Sequence, residues 1–109
     1  MAKYIYLYKG PATNISDMTE PQSKAFIDGW KQWIEKLGHS LVDIGQPIAN
    51  GISLVDDGSE GTAAEMNGFS IVEAENFAEA RSMADGHPYL SEGKGNFAID
   101  IFELVPVPM

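Results

Sequence analysis

The sequence predicts an α+β fold, a ferredoxin-like βαββαβ arrangement in which a four-stranded antiparallel sheet carries two helices on one face. Three observations lead there. Strand-like alternation of apolar residues opens and closes the chain. Two stretches of helical periodicity lie between, each bounded by a capping pattern and a glycine. The resulting order of elements is that of the split βαβ unit.

The first strand is Lys3 to Lys9, KYIYLYK, rich in aromatic and β-branched residues. Tyr4, Tyr6 and Tyr8 share one face, and Ile5 and Leu7 the other. Gly10 and Pro11 end it. Thr19, Pro21 and Gln22 open a helix as cap, first-turn proline and capping-box partner. Phe26, Trp30, Trp33, Ile34 and Leu37 then form one apolar stripe, and Gly38 terminates it. Leu41 to Pro47 reads as a connection. The second strand is expected within Ile48 to Val55, interrupted at Asn50-Gly51. The acidic, glycine-rich stretch 56–68 reads as a hairpin loop, and Phe69 to Ala74 as the third strand. Asn76 and Glu79 cap a short second helix bearing Phe77, Ala80, Met83 and Ala84, which Gly86 stops. Phe97 to Val105 is the last strand.

This is a single domain spanning 1–109, with apolar residues at 44% and charged residues at 21%, as in an ordinary globular protein. Seven Lys and Arg stand against sixteen Asp and Glu, a net charge of −9, and no basic cluster is present. Such a surface is a poor partner for nucleic acid or an anionic membrane. No apolar run approaches the roughly 20 residues needed to span a bilayer, and the N-terminus lacks a signal-peptide core, so cytoplasm is the expected compartment. The absence of cysteine excludes disulfides, thiolate metal sites and a cysteine nucleophile. Asn14-Ile15-Ser16 matches a glycosylation pattern by chance in a chain of this kind.

Two helices cover one face of such a sheet, yet several strands are apolar on both. Phe102 and Leu104 oppose Phe97, Ile99 and Ile101. An uncovered apolar face marks an interface, so a two-fold homodimer is expected.

The pieces MTEPQ, WKQWIEKLG, LVDIGQPI, GFSIVEAENFAEA, GHPYL and IDIFELVP occur in an order and spacing that cover nearly the whole chain. Together they resemble the YCII-related proteins, a branch of the dimeric α/β-barrel superfamily. The resemblance implies a ferredoxin-like protomer whose sheet packs against that of a second copy, with a small cleft in each protomer. Some relatives are thought to be enzymes using a His/Asp pair. The resemblance places an acidic residue where Asp100 stands and a polar residue or His where His87 stands. A basic residue late in the final strand, common in some branches, is replaced here by the apolar stretch of Phe102 and Val105.

His87, held between Gly86 and Pro88, is the first candidate for acid/base work. The structural alternative is an imidazolium closing the helix C-terminus. Asp100 interrupts an apolar strand and is a candidate to orient His87. Its alternative is a carboxylate at the sheet edge or dimer seam, bound to a lysine, a tyrosine hydroxyl or a backbone N–H. Trp30, Trp33, Tyr6 and Tyr89 are candidate ligand-binding walls, although the tryptophan stripe is first of all a core stripe. His39 follows a helix-ending glycine and suits the helix dipole. Asp43 suits a turn. Asp56, Asp57 and Glu60 lack the spacing of a calcium loop, the two histidines form no helical metal pair, and GSEG at 58–61 is no phosphate loop. No metal or cofactor is therefore expected.

Three functions fit these residues. One is a cofactor-independent enzyme acting on a small molecule through His87 and Asp100. Another is a non-catalytic dimer that binds a small ligand or serves as a regulatory module. The third is a cofactor-independent monooxygenase-like protein. Whether the chain is an enzyme turns on the geometry of the His87–Asp100 pair.

Overall fold

A computed structural model describes residues 1–12 and 17–108. The Asn14-Ile15-Ser16 pattern lies outside them. Strand β1 (Ala2–Lys9) leads to helix α1 (Glu20–Leu37), a 3-10 turn at Gly38–Ser40 and strand β2 (Leu41–Asp43). A hairpin of β3 (Ile52–Leu54) and β4 (Glu60–Thr62) follows. Then come β5 (Met66–Ala74), α2 (Phe77–Ser82), a 3-10 turn at Pro88–Leu90 and β6 (Ala98–Leu104). The main sheet has the order β2-β5-β1-β6, and every pair in it is antiparallel. The α+β fold class expected from the sequence is the one observed.

The caps form as their residues require. Thr19 Oγ1 accepts from the Gln22 N–H, and Gln22 Oε1 accepts from the Thr19 N–H, closing a reciprocal box. Asn76 Oδ1 accepts from the Glu79 N–H at 2.9 Å. The Glu79 carboxylate reaches one residue further back, to the Glu75 N–H. Helix α2 ends at Ser82, and i→i−3 bonds from Ala84, Asp85 and His87 carry the chain round to Gly86 and beyond.

The second strand of the sheet is not where strand propensity put it. Leu41–Asp43, expected as a connection, pairs with Ile71 and Val72 of β5. The apolar run after Ile48 instead forms β3, which pairs only with β4 in a separate two-stranded sheet. Pro47, with no N–H to give, makes a single bridge to Gly68, and Asn50 turns to φ 58. Segment 44–49 thus runs on beside β5, held by the Pro47 bridge and by the Ile48 N–H donating to the Asn67 carbonyl at 3.1 Å, without forming a strand of its own.

Tyr4, Tyr6 and Tyr8 all face the helices, sharing their side of the sheet with Ser70 and Val72. Trp33 and Leu37 of α1, and Ala80 and Ala84 near α2, close the core over them. Gly29 interrupts the helical stripe for a packing reason. A Cβ there would lie 2.9 Å from Pro88 Cβ, so only glycine lets α1 press against the turn that carries His87. That contact offsets the roughly 1 kcal/mol by which a mid-helix glycine is less favourable than alanine.

Candidate functional site: an aromatic cleft beside a buried histidine

His87 is 1% exposed and sits among aromatic rings. Its centroid is 4.4 Å from that of Trp33, 4.7 Å from Trp30 and 5.2 Å from Tyr8. Its Nδ1 accepts from the Tyr89 N–H at 3.0 Å, so the ring caps the 3-10 turn that follows it. With the Nδ1 lone pair engaged, a neutral ring carries its proton on Nε2. Nε2 lies 3.1 Å from Tyr8 Oη and donates to it. Tyr8 donates to Ser70 Oγ at 2.7 Å, and Ser70 to the Ile44 carbonyl at 2.6 Å. All four bonds then run in one sense and every polar atom is satisfied.

Burial lowers the His87 pKa from 6.5 to about 4, because the interior disfavours imidazolium. Burial also raises that of Tyr8, against a smaller opposite effect from its bond to Ser70. Burial thus favours the neutral imidazole at neutral pH. The imidazolium expected at the end of the preceding helix is not formed, since the ring instead caps the turn after it.

Asp100 is not its partner. Register pairs Tyr8 with Ile99 and Leu7 with Asp100, so His87 and Asp100 lie against opposite faces of the sheet. Asp100 is half-exposed on edge strand β6 and pairs with Lys9 at 3.0 Å. The expected dyad is corrected to the edge carboxylate bound to a lysine. Asp43 does hold a turn, accepting from the Gly45 N–H at 2.8 Å. His39 is exposed in the turn after α1. Among the described residues no group of three or more His, Asp or Glu side chains could hold a metal. No helix there is long and apolar enough to cross a membrane.

A cleft of about 520 Å³ opens beside the His87 turn. Tyr8, Phe26, Trp30, Tyr89 and Phe97 wall it, and segment 44–49 with residues 67–69 of β5 completes it. Of the four proposed ligand-binding residues, Trp30 and Tyr89 line this cleft, whereas Trp33 and Tyr6 do not. Trp33 Nε1 donates to the Met83 carbonyl at 2.9 Å, and the Tyr6 hydroxyl to that of Ala80. Both rings are consumed in holding α2 to the core, and burial raises the Tyr6 pKa to about 12.

Gly45 shapes the cleft wall. A Cβ at this position would lie 1.7 Å from the Phe69 carbonyl oxygen, and its φ of 79° is left-handed. Asn67 was not anticipated. It borders the cleft, and its Nδ2 donates to the Pro11 carbonyl at 2.9 Å and to Tyr89 Oη at 2.8 Å. Tyr89 donates onward to the Lys9 carbonyl at 3.0 Å. The only sequence hint was an Asn-Gly pair at the start of a strand, which reads equally well as a turn.

Fold and cleft define a ferredoxin-like α+β protein. Residues 4–104 match the YCII-related domain, and the chain belongs to that family. No curated protein matches it. A similar solved structure is 5-chloro-2-hydroxyhydroquinone dehydrochlorinase (TftG) from Burkholderia phenoliruptrix AC1100, in complex with 2,5-dihydroxybenzoquinone. The TM-score is 0.52 at 19% identity, over 92% of this chain and 90% of that one. That likeness is one of fold.

Proposed function

We infer that this protein is a homodimer that binds a small aromatic molecule in the cleft walled by Trp30, Tyr8, Phe26, Tyr89 and Phe97. The observation that carries this reading is the cleft itself. Its volume of about 520 Å³ suits a small organic ligand, and its walls are aromatic with a few fixed polar groups. TftG, of similar fold, is in complex with a small organic molecule, 2,5-dihydroxybenzoquinone. Acid/base chemistry by a His87–Asp100 pair is no part of the reading, since the two side chains face apart.

The dimer is supported by the helix-free face of the sheet. Ile5, Leu7, Phe69 and Ile71 form a half-buried apolar patch there, extended by Phe102 and Leu104, which are 54% and 40% exposed. A second copy of the same face would cover it.

Native mass spectrometry on gently purified protein, followed by ¹⁵N-indole NMR, tests both parts. The chain has two tryptophans, hence two indole signals. A dimer is expected, and added small aromatics should shift the Trp30 signal and leave that of Trp33 in place. A monomer, or an unmoved Trp30 signal across a panel of such compounds, overturns the corresponding half.

A further inference from the structure

Resting on the cleft reading, we propose that the site selects a neutral aromatic compound bearing a hydrogen-bond donor, a phenol or an aryl amine, and rejects arenecarboxylates.

The first argument is the orientation of Asn67. The Pro11 carbonyl can only accept, so the amide atom facing it is Nδ2. The second Nδ2 hydrogen goes to Tyr89 Oη. Tyr89 has given its own proton to the Lys9 carbonyl. Tyr8 has given its proton to Ser70, and Ser70 to Ile44. The donors of this network are thus spent within the protein. What Asn67 has left is Oδ1, an acceptor with no partner among the described residues. A ligand that satisfies it must bring a donor.

The second argument is charge. Among the described residues that line the cleft there is no lysine, arginine or histidine, and Glu92 is the one ionised group. His87, one wall away, is neutral. An anion entering here would lose its hydration with no cation to replace it and with a carboxylate nearby. The surrounding field of a chain at −9 acts in the same direction.

Three compounds of nearly equal size test this by calorimetric titration: 2-naphthol, 2-methoxynaphthalene and 2-naphthoate. The naphthol is expected to bind best. The methyl ether, which leaves Asn67 Oδ1 unpaired, should bind roughly tenfold more weakly. The naphthoate should bind weakest of the three. Glu92→Gln, on an exposed side chain, should narrow the gap between naphthol and naphthoate. Asn67→Ala should bring naphthol and ether together. Equal binding of all three, or preference for the naphthoate, overturns the selectivity while leaving the cleft reading intact. Absence of binding by any of them overturns both.

Discussion

His87 and Asp100 lie against opposite faces of one β-sheet. The separation follows from side-chain alternation: Tyr8, which bonds His87, is in register with Ile99, and Asp100 comes one residue later. A shift of a single residue in β6 would have put the carboxylate on the histidine's side. The distinction between a catalytic pair and two unrelated structural groups thus rests on strand register.

Replacing His87 by alanine should therefore cost stability. The substitution empties a packed aromatic box and leaves the Tyr89 N–H without its acceptor. About 2–4 kcal/mol is expected from the cavity and the lost bonds. In a double-mutant cycle with Asp100→Ala, the two effects should add to within about 0.5 kcal/mol. Urea unfolding measures both. Strong coupling would contradict the placement of the two side chains.

The buried imidazole also makes stability depend on pH. Its pKa is near 6.5 when unfolded and about 4 when folded. Between those values the unfolded chain binds the proton and the folded one does not, so stability falls as pH drops from about 6.5 to about 4. The loss approaches roughly 3 kcal/mol at the acid end of the window. Below it the His87 contribution no longer changes. His87→Gln should flatten the profile of unfolding free energy between pH 6.5 and 5, above the range where most carboxylates titrate. An unchanged slope in that variant would show that His87 is not the titrating group.

The outlines of the fold were legible because their causes are local. The Thr19–Gln22 box, the stripe from Phe26 to Leu37 and the alternation of β1 each specify their element within a few residues. Strand β2 was not legible, since its three residues owe their conformation to pairing with β5. Ile52–Leu54 has the stronger strand composition and yet lies outside the main sheet, so tertiary pairing overrode propensity. At the site, Trp30 and Tyr89 could be read as aromatic walls. The bond from His87 to Tyr8 spans 79 positions, and no local pattern announces a contact of that range. Asn67 became interpretable only once Pro11 and Tyr89 stood beside it.

Gly45→Ala should damage the cleft more than its size suggests. The new methyl group would collide with the Phe69 backbone, and φ 79° is strained for alanine. Segment 44–49 would have to move away from β5. A loss of at least about 2 kcal/mol in unfolding free energy is expected. Aromatic ligands should bind more weakly to the folded variant as well. Calorimetry on the folded variant checks the second effect separately from the first. Wild-type stability would mean that this wall can yield without cost.

Phe102→Asp should separate the dimer without unfolding the protomer. Phe102 is 54% exposed on an edge strand, so the protomer loses little by its replacement. On the apolar face with Leu7 and Leu104, however, an unpaired carboxylate would have to be buried against a second copy. The resident charges there, Lys9 and Asp100, already neutralise each other at 3.0 Å and are compatible with being covered. Sedimentation velocity at micromolar concentration should show a wild-type dimer and a variant monomer, with unchanged far-ultraviolet circular dichroism. The wild-type midpoint of unfolding should also rise with protein concentration, and that of the variant should not. A variant that remains dimeric would place the interface elsewhere, at an edge of the sheet or on the β3–β4 hairpin. There Ile52 and Leu54, 65% and 75% exposed, offer the other large apolar surface.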